Sequence, residues 1–223
     1  MTTLQKPPQI AWQMPYYAPV FPYTQAYEHG FRLRDEINEK IYGRIGSTAE
    51  DMGILAEALV KAGHGNHLEL GCFFGGSAIL AALVKRRFGL QGLVYTVDNF
   101  SFESNSYPLS RALVMENAER FEVEDRIVVI EGNTSPLPGL ASQQRYATAF
   151  VDAAHDFQSA RSDGLNACRF TDQYVIFHDY DMNHPGVIGA CHDICANNPW
   201  WLVHVNHNSA VLWNRSNHGY HFK

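Results

Sequence analysis

Apolar residues along this chain follow two patterns, and from residue 66 onward the two alternate. Mostly apolar runs of four or five residues, many of them rich in branched or aromatic side chains, predict strands that are buried on both faces. The predicted strands are 67–70, 93–97, 127–130, 147–151, 174–177, 201–205 and 210–213. Apolar residues spaced three and four apart predict amphipathic helices. The predicted helices are 24–44, 52–62, 77–88, 109–121, 158–169 and 187–196.

Short buried strands that alternate with helices indicate an α/β fold with a doubly wound, Rossmann-like sheet. The sheet should be mostly parallel, with helices on both faces. A polar turn at 207–209 separates the last two strands, which predicts an antiparallel edge at the C-terminal end. The run Ser47-Thr48-Ala49-Glu50-Asp51 is a capping signature that marks the start of the second helix.

Residues 1–23 differ from the rest, because they hold five of the ten prolines and many aromatic residues. Proline denies this stretch a regular helix or a central strand, and aromatic residues at this density are seldom left in water. We expect an arm that packs on the body, on a second subunit in a homo-oligomer, or over the active site. The predicted organisation is an arm and lid helix at 1–44 and a single domain at 45–223.

The amino-acid composition of the chain limits the classes of molecule that it is expected to bind. The chain has 223 residues, of which 46% are hydrophobic and 18% charged, as in ordinary globular proteins. A net charge of −6 argues against nucleic acid and favours a small-molecule partner. No apolar run is long enough to span a membrane, and Lys85-Arg86-Arg87 is expected to be a solvated face. Four cysteines without a CxxC pair indicate reduced thiols and a cytoplasmic protein.

Polar side chains stand at the ends of the predicted strands, where open α/β sheets bind their ligands. These residues are Glu69, Asp98, Glu131, Asp152, His178 and Asp179. Gly71 and Gly75 follow the first strand and allow the backbone to turn tightly against a ligand. The turn lacks the GxGxxG pattern of dinucleotide sites, and Glu69 would repel a pyrophosphate. A ligand with an ammonium or sulfonium group suits this carboxylate better, which argues against a nicotinamide-dependent dehydrogenase.

The first of these turns, HLELGCFFGGSA at 67–78, resembles motif I of class I S-adenosylmethionine-dependent methyltransferases. It is most similar to the O-methyltransferase branch that includes catechol O-methyltransferase. YTVDNF and IVVIEGNT resemble the second and third strand ends of these enzymes. FVDAAHDFQSARSDG and VIFHDYDMNHPGV are similar to a family of small bacterial methyltransferases related to macrolide and sugar O-methyltransferases. The resemblance covers about residues 45–190.

The resemblance implies a set of cofactor contacts for S-adenosylmethionine. Glu69 and Gly71 would face the ammonium group of its methionine part, and the Phe73 backbone and Ser77 its carboxylate. Asp98 would accept hydrogen bonds from both ribose hydroxyls. The remaining residues assigned to cofactor binding by the resemblance are Gly75, Gly132, Asn133 and Asp152.

Two mechanisms are open for the reaction centre. His155 lies three residues after Asp152, where related enzymes carry a base, and a histidine can accept a proton near neutral pH. Related metal-dependent enzymes hold Mg²⁺ with the residues that correspond to Asp152, His178 and Asp179. A histidine ligand weakens the case for Mg²⁺ and favours a transition metal. Without a metal ion, His155 or His178 is the base and Asp152 or Asp179 orients it.

The predicted function is methyl transfer from S-adenosylmethionine to a hydroxyl group of a small, natural-product or sugar-like acceptor. The alternatives are an N-methyltransferase with the same cofactor and a non-catalytic module that only binds it. Acceptor choice should depend on the arm, on loop 99–108 and on 180–186.

Overall fold

The structure is a computed structural model that describes residues 24–206 and 208–218. The predicted arm at 1–23 lies outside the described residues. The strands are β1 (Asn66–Leu70), β2 (Val94–Asp98), β3 (Ile127–Glu131), β4 (Tyr146–Val151), β5 (Thr171–Phe177), β6 (Trp200–Val205) and β7 (Ala210–Asn214). They form one sheet in the order β3-β2-β1-β4-β5-β7-β6. The pairs among β1 to β5 are parallel, and β7 runs antiparallel to both β5 and β6, so the predicted fold class and edge are confirmed.

Each predicted helix is present with small shifts at its ends. The helices are α1 (Gln25–Lys40), α2 (Ala49–Ala62), α3 (Gly76–Arg87), α4 (Arg111–Glu119), α5 (Gly139–Ser142), α6 (Phe157–Phe170) and α7 (Pro185–Asn197). α5 and the 3₁₀ turns at Glu124–Arg126 and Arg215–His218 were not predicted. α1 ends four residues early because side chains bind the following backbone. Asn38 accepts from the Ile45 amide, and Asn117 accepts from the Tyr42 amide.

Two hydrophobic layers cover the sheet. In one layer, α1, α2 and α3 pack against one face of the sheet, and this layer includes Ile37, Leu55 and Ile79. Ala167 and Ile194, from α6 and α7, belong to the layer on the other face. α1 thus shares a core with the sheet. None of the helices within the described ranges is long and apolar enough to cross a membrane.

One cation of the predicted solvated face is buried. Lys85 is 2% exposed and donates to the carbonyl oxygens of Gly65 (2.6 Å) and Gln91 (3.0 Å). Burial lowers the pKa of Lys85 to about 8. The prediction was therefore wrong for Lys85, which connects α3 to the loops that precede β1 and β2. The four cysteines are free, as predicted.

The strand order creates a crevice beside β1. β1 pairs with β2 on one side and with β4 on the other, and the chain crosses from the β3 edge back to β4. Loops that leave the carboxyl ends of β1 and β4 therefore diverge, and ligands of open α/β sheets bind at such a switch point.

Candidate active site

A cavity of about 1010 Å³ opens at the carboxyl ends of β1, β2, β4 and β5. Most of the residues predicted for the site line it together. They are Gly71, Phe73, Ser77, Asp98, Asn133, Asp152, His155, His178 and Asp179. Glu69, Gly75 and Gly132 are not part of its wall. Its volume is of the size that encloses a small-molecule ligand.

Gly71 brings the first turn against the end of β4. Its φ is +90°, and a Cβ at this position would lie 1.9 Å from the carbonyl oxygen of Asp152. Only glycine fits such a close approach at a positive φ. The backbone of the turn and the backbone of Asp152 thus meet at one edge of the cavity.

Asp98 fixes the shape of the same turn. One carboxylate oxygen accepts from the amides of Cys72 (2.7 Å) and Phe73 (3.0 Å), and the other accepts from the Phe100 amide (2.7 Å). A carboxylate has about four acceptor sites, so these three hydrogen bonds leave room for a ligand hydroxyl. Asp98 therefore connects the turn after β1 with the loop after β2.

Glu69 lies beneath the turn and is fully buried. Its carboxyl group accepts hydrogen bonds from Ser77 Oγ and from Thr96 Oγ1 (2.6 Å for the latter). Burial raises the pKa of Glu69 to about 8, against the lowering effect of these hydrogen bonds. In this structure Glu69 supports the start of α3 from below, and contact with a ligand ammonium group stays a prediction.

His155 and Asp179 form a hydrogen-bonded pair in the cavity wall. His155 Nε2 lies 2.8 Å from Asp179 Oδ2, and the imidazole is 40% exposed. The hydrogen bond with Asp179 raises the pKa of His155, against the effect of partial burial. Asp179 has a φ of +53°, which is unusual for a residue other than glycine. Strained backbone of this kind is often found at functional sites.

His178 lies behind this pair with carboxylates at both ring nitrogens. Its Nδ1 is 3.1 Å from both Asp152 Oδ1 and Asp179 Oδ2, and its Nε2 is 3.2 Å from Asp51 Oδ2. The side chain is 6% exposed. Burial acts to lower the pKa of His178, but the charge of Asp152 and the hydrogen bonds to the three carboxylates raise it well above its ordinary value. The three carboxylates therefore favour the protonated form of His178 in the metal-free protein.

Asp51 is a site residue that sequence reasoning missed. It closes the capping box of α2 with Thr48, as predicted. The same carboxylate is fully buried, accepts from Ser209 Oγ (2.6 Å) and Asn208 Nδ2 (3.2 Å), and faces His178. The capping signature already explained an acid at this position, so nothing in the sequence pointed to a second role.

The residues predicted to hold a metal ion are brought together. One ligand atom from each of Asp152, His178 and Asp179 lies within 4.8 Å of the others. Asp51 on the far nitrogen of His178 is the outer carboxylate that commonly orients a metal-bound histidine. This donor set, two carboxylates and one imidazole, fits a divalent cation and favours a transition metal over Mg²⁺.

Loops after β2 and before α2 complete the cavity wall. Phe102, which is 67% exposed, packs edge-on against Phe73 with ring centroids 5.8 Å apart. Arg44 and Ser47 line the wall from the segment between α1 and α2. Sequence reasoning predicted a role for loop 99–108 but did not identify Arg44 or Ser47.

Comparison with known proteins places the chain in a family. A family model described as a methyltransferase domain matches residues 68–180, just over half of the chain. A comparison with curated proteins found no match.

Several solved structures share the fold. The O-methyltransferase NovP has a TM-score of 0.61 at 17% sequence identity and covers 83% of this chain and 79% of its own. An O-methyltransferase from Bacillus cereus in complex with SAH has a TM-score of 0.52 at 18% identity, over 87% of this chain and 92% of its own. TomG from Streptomyces achromogenes, in complex with SAM, has a TM-score of 0.53 at 15% identity, over 87% and 91%. The chain belongs to the methyltransferase domain family, as its motifs predict.

Proposed function

We propose that this protein transfers a methyl group from S-adenosylmethionine to a hydroxyl group of a small molecule, with His155 as the general base. The observation that carries the proposal is the His155–Asp179 hydrogen bond of 2.8 Å in the wall of the cavity. The family match supports methyl transfer, and the fold is that of several O-methyltransferases.

The cofactor would occupy the end of the cavity formed by the turns after β1 and β2. The backbone at Gly71 and Phe73 and the Ser77 side chain line the part expected for the methionine group. The remaining acceptor site of Asp98 would bind a ribose hydroxyl, and Asn133 in the cavity wall would contact another part of the cofactor. Two structural neighbours contain SAH or SAM, which supports the choice of cofactor.

Proton removal can be assigned to one atom. With Nε2 of His155 donating to Asp179, Nδ1 carries the lone pair and accepts the proton of the acceptor hydroxyl. The oxygen then bonds to the methyl carbon while the carbon–sulfur bond breaks, and the sulfur keeps the electron pair. Asp179 stabilises the imidazolium that forms. His178 is the weaker candidate for the base, because its proton is held by carboxylates at both nitrogens.

Asp152, His178 and Asp179 would hold a divalent cation, if the enzyme uses one. When bound, such an ion acts as a Lewis acid that lowers the pKa of a coordinated hydroxyl. Asp51 would then orient His178 through its other nitrogen. An acceptor with an aromatic or sugar ring would pack against Phe73 and Phe102 at the open side of the cavity.

The first test is methyl transfer from labelled cofactor to a panel of hydroxylated and amine-containing metabolites. His155→Gln should lower kcat by about 10²–10⁴-fold, the usual contribution of a general base, with cofactor affinity largely kept. Because the pKa of His155 is raised, the wild-type rate should increase with pH through a midpoint above 6.5. Wild-type turnover of His155→Gln on the true acceptor would remove this residue from the mechanism.

A chelator separates the two versions of the mechanism. If the cation is required, chelation and Asp152→Asn should each abolish turnover while the protein stays folded. If it is not required, chelation should leave the rate unchanged and the His155 dependence intact. Transfer to amines alone would indicate an N-methyltransferase instead.

A further inference from the structure

A second group of side chains that could hold a metal ion includes Asp179 and two more exposed histidines. His155 Nε2 is 2.8 Å from Asp179 Oδ2, and His184 Nδ1 is 3.9 Å from Asp179 Oδ1. The two imidazole rings are tilted at 50° to each other, with centroids 4.6 Å apart. One ligand atom from each of the three residues lies within 4.8 Å of the others. This set shares only Asp179 with the buried set of Asp152, His178 and Asp179.

The two loops that carry these histidines are packed directly on each other. A Cβ on Gly186 would lie 2.3 Å from the carbonyl oxygen of His155 and 2.6 Å from the Phe157 amide. The absence of a side chain at Gly186 therefore permits the close approach of the start of α7 to the loop before α6. His155 and His184 are thereby held near each other before any ligand binds.

The His184 ring also has a local contact that sets its direction. Asp181 Oδ1 accepts from the His184 amide at 3.1 Å and lies 3.2 Å from His184 Nδ1. His184 is the N-cap residue of α7 and precedes a proline at the first helical position, so its backbone is restrained on both sides. The ring is therefore held with its Nδ1 atom 3.9 Å from Asp179 Oδ1.

Two imidazoles and one carboxylate are ligands typical of Zn²⁺, Co²⁺ and Ni²⁺ sites rather than of Mg²⁺ or Ca²⁺. His155 is 40% exposed and His184 32% exposed, whereas His178 of the buried set is 6% exposed. An ion can reach the outer set from solvent and would keep open coordination positions for water.

We propose that His155, Asp179 and His184 form a binding site for a divalent transition-metal ion at the mouth of the cavity. This site would regulate the enzyme, an inference that rests on the proposed methyl transfer with His155 as the base. An ion on Nε2 of His155 leaves the ring proton on Nδ1, so Nδ1 can no longer accept a proton from the acceptor. Metal binding would then inhibit methyl transfer.

The test measures metal-ion binding to the full chain. The protein is first treated with a chelator, and the chelator is then removed. Zn²⁺ is titrated by calorimetry, and Co²⁺ by its visible absorption. His184→Gln should weaken Zn²⁺ binding by about tenfold or more, because even loss of an outer partner of a metal site costs 10–100-fold in affinity. His64→Gln is the matched control, since His64 is an exposed histidine whose Nδ1 accepts from the Gln91 amide. This variant should bind Zn²⁺ as the wild type does.

Asp152→Asn distinguishes the outer set from the buried one. The outer site predicts that this variant keeps the Zn²⁺ affinity that His184→Gln loses. The proposal is overturned if the wild type binds no Zn²⁺ or Co²⁺, if His184→Gln binds like the wild type, or if only Asp152→Asn loses binding. These binding measurements need no methyl acceptor. Failure to find methyl transfer would therefore contradict the proposed function but not the proposed metal site.

Discussion

The charge on His178 can be tested by changing Asp51, the carboxylate at its far nitrogen. Asp51 is fully buried and lies 3.2 Å from His178 Nε2. Burial acts to raise the pKa of the Asp51 carboxyl, but the hydrogen bond and charge of His178 hold it well below its ordinary value. In Asp51→Asn the imidazolium loses this partner but stays buried. Leaving a buried charge without a partner costs about 3–5 kcal/mol. Because Asp152 and Asp179 stay at Nδ1 of His178, the free energy of unfolding should fall by up to this amount.

Thr48→Val provides the matched control. It removes the N-cap hydroxyl that donates to Asp51, but it leaves the contact of Asp51 with His178 in place. Loss of an N-cap side chain costs about 1 kcal/mol. The difference between the two variants, measured by urea unfolding of the metal-free protein, therefore reports the contacts of Asp51 beyond the helix cap, with His178, Asn208 and Ser209. Equal losses in the two variants would show that these contacts contribute nothing to stability.

The same pair predicts a pH dependence with a definite sign. Because the pKa of His178 is raised above 6.5 by folding, the folded protein keeps this proton at pH values where the unfolded chain has lost it. Its contribution to stability is complete below pH 6.5 and falls by about 1.4 kcal/mol per pH unit above that value. His178→Asn should remove this slope, and Asp51→Asn should end it at a lower pH. An unchanged slope in His178→Asn would refute the assignment of a charged His178.

Three further variants test the turns around the cavity and the buried lysine. Asp98→Asn should lower the free energy of unfolding by about 1.5–3 kcal/mol, because its hydrogen bonds to backbone amides lose the charge of the acceptor. Calorimetry should also show weakened cofactor binding, and normal affinity would exclude a ribose contact. Gly71→Ala should lower the free energy of unfolding by more than about 1 kcal/mol, because the added Cβ would meet the Asp152 carbonyl oxygen. Gly139→Ala, which has open space around the new methyl group, should be nearly neutral in the same thermal unfolding assay. Lys85→Met should cost about 1–3 kcal/mol because the Gly65 carbonyl loses its donor, whereas the Gln91 carbonyl keeps the Gly65 amide as a donor. A neutral result would show that water replaces the ammonium group.

The sheet and the position of the cavity were predictable because both follow from local patterns. Five short apolar runs, each buried on both faces, predict parallel strands, and a polar residue at a strand end falls at the carboxyl edge. Asp98, Asp152 and Asp179 line the cavity for this reason. The glycines after β1 identified the turn itself.

Contacts that depend on the folded geometry were not predictable. The carbonyl partners of Lys85 come from loop ends whose positions depend on the whole sheet, so a run of three cations looked exposed. His184 was part of a recognised segment, but its proximity to His155 follows from the packing of α7 on α6. Asp51 reaches His178 across 127 residues, and no periodic pattern records such a pair.

The long separation between Asp51 and His178 also affects how the protein folds. The capping box that holds Asp51 is local, whereas its contacts with His178 and Ser209 join positions 127 and 158 residues apart. Contacts of such high sequence separation carry a large loop-closure cost and form slowly. We therefore expect chains that refold above pH 6.5 to build α2 and the central strands first and to protonate His178 only in the last step. The ionisation of this one imidazole would then report completion of the native state.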